Sequence, residues 1–148
     1  MIKPYILIIE AERITSQYYN NIFAKINVKN VSHINNTFEI VPVLERSKPD
    51  FIVIDVALLD EEISLNLLDK LHKYKPEIPL AVISSIFLPE IIKKQKTFPN
   101  SEFFLKPLNL EKFLSSIIKK APNLNSYKKN YFLDTIRNSI KPVLLPES

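Results

Sequence analysis

Residues 49–55 read Pro-Asp-Phe-Ile-Val-Ile-Asp, an apolar run entered through proline and closed by an acid. A short unbroken apolar run of this kind suits a strand buried on both faces. Two further stretches have the same form. Residues 78–84, IPLAVIS, end on Ser84, and residues 102–107, EFFLKP, carry Lys106 behind three apolar residues. Near the amino terminus, Tyr5–Ile9 runs apolar into Glu10, with Ala11 and Glu12 after it. Asp55, Ser84 and Lys106 therefore stand at the predicted carboxyl ends of strands, which is where open α/β sheets bind ligands. An acid, a hydroxyl and a cation gathered there have the chemistry of a phosphoryl site.

Between these runs the spacing turns helical. Ile14, Tyr18, Ile22 and Ile26 recur every four residues, which predicts a helix from Ile14 to Ile26 with those side chains inward. Val28–Ile34 reads as a weaker strand. Thr37 is placed to cap a helix from Phe38 to Arg46 that Pro42 must kink or shorten. Glu61 to Tyr74 reads as a helix with Leu65, Leu68 and Leu71 inward and Asp60 or Ser64 near its start. Pro89 to Lys96 reads as a short, loosely held helix. Phe103–Leu105 closes the strands, and Leu110 to Lys120 is a helix with Phe113, Leu114, Ile117 and Ile118 on its apolar side. Repeated strand–helix–strand units force a parallel sheet with helices on both faces. The predicted fold is α/β: a doubly wound, flavodoxin-like (βα)5 domain with a five-stranded parallel sheet over residues 1–121. Residues 122–148 read as a linker followed by an additional C-terminal helix at Tyr127–Ile140.

Composition narrows the function. The chain has 148 residues, 46% hydrophobic and 24% charged, as in an ordinary globular domain. No apolar run approaches the ~18 residues needed to cross a bilayer. There is no cysteine, so disulfides and thiolate metal sites are excluded, and a cytoplasmic setting is expected. There is also no glycine, which excludes the glycine-rich phosphate loops of nucleotide binders. The net charge of +4 is mild. Its local excess begins at Lys119, where Lys119, Lys120, Lys128, Lys129, Arg137 and Lys141 face Asp134 and Glu147. His33 and His72 have no convergent ligands in sequence and read as surface or packing residues.

The motifs in order resemble the receiver domain of bacterial two-component response regulators. PDFIVID resembles the family's PDLIxLD, PLAVISS resembles PVIxLTA, and EFFLKPLNLEKFLSSI resembles DYLxKPFxxxxLxxxI. The similarity runs over roughly residues 4–120. It implies that Asp55 is the phosphoacceptor, attacking the phosphorus of a phosphohistidine on a partner histidine kinase. Lys106 would pair with one phosphoryl oxygen, and the Ser84 hydroxyl would donate to another. The implied metal is Mg²⁺, held by Glu10, Asp55 and the backbone carbonyl of Ala57. Phe103 matches the family's switch aromatic, although plain core packing also accounts for it, and Ser84 and Phe103 would move together. A cis peptide at Lys106-Pro107 is implied as well.

Two departures matter. Ala11 stands where the family's second acid would ligate metal, and Val-Ala-Leu-Leu-Asp after Asp55 replaces the usual Met-Pro and Asp-Gly signals. These imply an impaired metal site and an atypical or pseudo-receiver variant. The expectation is a non-enzymatic signalling domain acting through protein–protein contacts, with a kinase or other signalling protein as partner and a homodimer as one arrangement. The alternative is the N-terminal regulatory part of a longer regulator, in which nucleic acid is met only through an unseen output domain.

Overall fold

The computed structural model describes residues 4–10, 13–56, 61–74 and 77–121. Five strands, β1 Tyr5–Ile9, β2 Asn30–Ile34, β3 Phe51–Asp55, β4 Leu80–Ser84 and β5 Ser101–Leu105, form one sheet. All neighbours pair parallel in the order β2-β1-β3-β4-β5. The helices are α1 Arg13–Ala24, α2 Ile40–Arg46, α3 Glu61–Tyr74, α4 Pro89–Gln95 and α5 Leu110–Lys120. This is the flavodoxin-like arrangement that the alternation of runs predicts. The C-terminal helix at Tyr127–Ile140, and with it the 122–148 extension, lies outside the described residues.

Side chains alternate along each strand, and the sheet sorts them into two cores. Ile6, Ile8, Phe51, Val53, Ala81 and Ile83 meet α1 and α5 through Phe23, Phe113 and Ile117. Leu7, Ile9, Ile52, Ile54, Leu80 and Val82 meet α2, α3 and α4 through Leu44, Leu68 and Ile91. Asp55 continues the first set and Ser84 the second, so strand parity alone sends them toward different helix layers. At the far end of the sheet Asp50 clasps β1. Its amide donates to the Tyr5 carbonyl at 2.8 Å, and its Oδ2 accepts from the Tyr5 amide at 2.7 Å.

The helix ends show how a chain without glycine turns. Asn27 alone among the described residues has a positive φ, 61°. Its amide donates to Ala24 O at 3.0 Å and the Val28 amide to Phe23 O at 3.0 Å. Those two bonds are a Schellman closure of α1, with Val28 packed in the same core as Phe23. Asparagine tolerates this backbone region better than other residues with a Cβ.

Several boundaries and phases differ from the sequence prediction. In α1, Tyr18 is 46% exposed whereas Tyr19 is fully buried, so the inward stripe is Tyr19, Ile22, Phe23 and Ile26. The side chains of Ile14 and Thr37 are outside the described set. A single 3-10 turn, Thr37–Glu39, precedes α2, and Asn36 Oδ1 accepts from the Phe38 amide at 2.8 Å. Pro42 then falls in the first turn of α2, where its missing N–H is not needed. In α3 the buried set is Ser64, Leu67, Leu68 and Leu71, with Leu65 only partly covered. Helix α4 is firmly held. Ile91 is fully buried, and Gln95 Nε2 donates to Ser101 Oγ at 2.7 Å. The Ser101 hydroxyl also reaches Gln95 O at 2.7 Å. Asn109 caps α5 by accepting from the Lys112 amide at 3.0 Å.

Candidate functional site

The strand order reverses between β1 and β3, and a crevice opens beyond their carboxyl ends at such a point. Register places Ile9 beside Ile54 and Asp55 beside Ile83, so Glu10 and Asp55 both leave the sheet there. Asp55 is 2% exposed. A carboxylate this buried requires a cation or several donors. It has both: Lys106 Nζ lies 2.7 Å from Oδ2, and the Tyr19 hydroxyl donates to the same oxygen at 2.9 Å. Lys106 arrives from the residue after β5, held by its amide on the Ser84 carbonyl at 2.8 Å. The Lys106-Pro107 peptide is cis.

Tyr19 is the residue that sequence reasoning passes over. Burial, then the negative charge of Asp55 and its hydrogen bond, push the phenol well above its ordinary pKa, so it stays a donor. Its ring meets Tyr18 edge-on at 5.3 Å between centroids. Tyr18 is also raised, by burial first and by the Asp55 charge second.

Glu10 is buried, accepts a hydrogen bond from the Ser16 hydroxyl, and lies 3.9 Å from His33 Nδ1. His33 reaches Asn20 Oδ1 through Nε2 at 2.8 Å, which places the proton on Nε2 in the neutral ring. Burial holds the His33 pKa below its ordinary value, with the Glu10 charge pulling the other way. His33 is thus a neighbour of the crevice rather than a plain surface residue. His72 has a packing role, edge-on to Phe98 at 5.2 Å.

Ser84 is fully buried, and its Oγ accepts from the Ile86 amide at 3.1 Å. It lines a cavity of about 270 Å³ with Val56, Ser64, Ile86 and Leu88, on the α3–α4 side. The structure therefore joins Asp55 to Lys106 directly and turns the Ser84 hydroxyl toward the loop that follows it. Phe103 is partly buried and packs on the α2–α4 core, while Phe104 meets Phe113 edge-on at 5.3 Å. Ile86, Phe87 and Leu105 leave large apolar side chains exposed just beyond Ser84 and at the end of β5.

Mg²⁺ prefers oxygen ligands in an octahedral set, commonly one or two carboxylates with water and phosphate oxygens. Among the described residues the carboxylates on offer are Glu10 and Asp55, both already hydrogen-bonded. Ala11 contributes a methyl group, and both Ala11 and the Ala57 carbonyl lie outside the described residues. Among the described residues no group of three or more His, Cys, Asp or Glu side chains is placed to hold a metal. The donor set of the described residues falls short of a complete divalent-cation site.

No protein-family model matches the chain, and no curated protein sequence matches it. Solved structures do. A response regulator from Thermotoga maritima superposes with a TM-score of 0.67 at 27% identity, over 81% of this chain and 98% of that one. The signal receiver domain of an HD domain-containing protein from Pseudomonas fluorescens Pf-5 gives 0.70 at 14% identity, over 84% and 99%. A CheY-like response regulator receiver domain protein from Methanospirillum hungatei JF-1 gives 0.70 at 19%, over 84% and 98%. The chain is a receiver domain by fold, of the kind found in two-component signalling.

Proposed function

We propose that this receiver accepts a phosphoryl group on Asp55 from a histidine kinase, slowly and with an impaired Mg²⁺ site, and that it signals through protein–protein contacts. The observation that carries the reading is the 2.7 Å pairing of Lys106 with a nearly inaccessible Asp55 at the sheet's switch point. Asp55 supplies the nucleophilic oxygen, and Lys106 is placed to follow the negative charge onto the phosphoryl oxygens. Ser84 would give its hydroxyl to another phosphoryl oxygen by leaving the Ile86 amide. Phe103, on the adjacent strand, would move with it. Where a divalent ion binds, Glu10 and Asp55 are its side-chain ligands, and it would offset anionic charge.

The proposed contact surface is the α4–β5–α5 side, where exposed Ile86, Phe87 and Leu105 border Ser84 and Lys106. The partners proposed are a kinase or another signalling protein, or a second copy of the chain. No helix among the described residues is long and apolar enough to cross a membrane, and the proposed setting is the cytoplasm. The test is intact-mass measurement after acetyl phosphate with Mg²⁺. One added phosphoryl group, absent in Asp55→Asn, is the expected result. An unchanged mass at saturating donor would leave a pseudo-receiver that works by contact alone.

A further inference from the structure

The geometry points to Tyr19 as a positioning residue that favours the free carboxylate of Asp55 and so shortens the life of a phosphoryl group placed there. This rests on the proposed role of Asp55 as phosphoacceptor. Two donors, Tyr19 Oη and Lys106 Nζ, converge on Oδ2. With the Tyr19 hydroxyl fixed on Oδ2, Oδ1 is taken as the oxygen that bonds phosphorus.

In that step a lone pair of Oδ1 forms the O–P bond while the P–N bond of the phosphohistidine breaks. The pair stays on the departing imidazole nitrogen. In the reverse sense, water oxygen bonds to phosphorus, the Oδ1–P bond breaks, and its electron pair returns to the carboxylate. The water protons pass to the released phosphate and to solvent. Between the two steps Oδ2 is the carbonyl oxygen of a neutral acyl group.

Lys106 is long and partly exposed, so it can follow the negative charge to the phosphoryl oxygens. Tyr19 cannot. Its side chain is fully enclosed between α1 and the sheet, and its hydroxyl stays at Oδ2. A hydrogen bond to a carboxylate is roughly twice as strong as one to a neutral carbonyl. The hydroxyl therefore stabilises the free state more than the phosphorylated one, and it stabilises Asp55 as the leaving group in hydrolysis.

The experiment uses the full chain, acetyl phosphate and Mg²⁺, with the donor removed by rapid desalting and decay followed by intact mass. Tyr19→Phe keeps the ring and deletes the donor. Its phosphorylated form is expected to last about tenfold longer than wild type, the size of the difference between a charge-assisted hydrogen bond and a neutral one. In ¹³C-aspartate-labelled protein the acyl phosphate carbonyl stretch should rise in Tyr19→Phe, a shift that altered packing alone does not produce. Placing 3-fluorotyrosine at position 19 makes the phenol a stronger donor and should shorten the lifetime, an arm that decides the matter even where Tyr19→Phe does not fold. Equal lifetimes in all three proteins would overturn the role of Tyr19 and leave Asp55 as phosphoacceptor. Failure of wild type and both variants to gain mass would overturn both.

Discussion

At the scale of single residues, the site is governed by how a buried carboxylate is compensated. Removing the cation beside Asp55 leaves charge in a poorly solvated place. Loss of one partner of a fully buried pair costs 3–5 kcal/mol, and partial exposure of Lys106 reduces this to about 1–3 kcal/mol. Lys106→Met should lower the unfolding free energy by that amount, read as a lower urea midpoint at an unchanged slope. Adding Asp55→Asn should recover most of the loss, because the orphaned charge is then gone. His33 gives a pH signature of opposite origin. Its folded pKa lies below the unfolded value of about 6.5, so below that pH the unfolded chain binds more protons. Stability is full above pH 6.5 and declines as pH falls through 6.5 toward the folded pKa. In His33→Gln, urea melts between pH 8 and 5.5 should lose that component of the decline.

Much of the site is legible in the sequence at this scale, for a physical reason. Asp55, Ser84 and Lys106 end short apolar runs, and a buried parallel strand leaves few other places for such residues. Tyr19 is not legible in the same way. Tyr18 and Tyr19 differ by 100° around α1 and both have apolar partners one turn on, so spacing by four selects Tyr18. The structure buries Tyr19 instead, with its phenol on the Asp55 carboxylate on the same face of the sheet. The direction of the Ser84 hydroxyl is equally hidden, since it depends on the amide of Ile86 in the following loop.

At the scale of elements, helix ends carry measurable weight. Asn109→Ala removes the side-chain oxygen that accepts from the Lys112 amide and should cost about 1 kcal/mol in thermal or urea unfolding. Asn27→Ala keeps a Cβ in a left-handed position without the side-chain compensation of asparagine and should also cost about 1 kcal/mol, whereas Asn27→Gly should hold stability or raise it. Element type follows from the apolar period, and α5 matches its predicted bounds because cap, stripe and basic last turn agree. Shorter elements follow less closely. The start of α2 is shifted by the local geometry around Asn36 and Pro42, and β5 extends back to Ser101 because Ser101 and Glu102 pair with Leu80 and Ala81 of β4.

At the scale of the whole molecule, the two helix layers are unequal in what they support. The α1–α5 layer rests on aromatic packing, with Phe113 against Phe23 at 6.1 Å and against Phe104 at 5.3 Å. Phe113→Ala should cost about 3–5 kcal/mol, and because Tyr19 shares that core it should loosen the Asp55 site as well. On the outer side of the same layer, Lys120 and Ser116 both bond Glu102, at 2.9 Å and 2.8 Å. Burial pushes the Glu102 carboxyl up, yet these donors and the Lys120 and Lys119 charges together hold it below its ordinary value.

The turn at Asn27 has a wider meaning for how much alphabet this topology consumes. Among the described residues one position asks for left-handed backbone, and an asparagine answers it. The other described residues of the connections use right-handed or extended conformations open to most side chains. Glycine is then a dispensable letter for this architecture: a sequence can drop it altogether and still write the same five-stranded sheet.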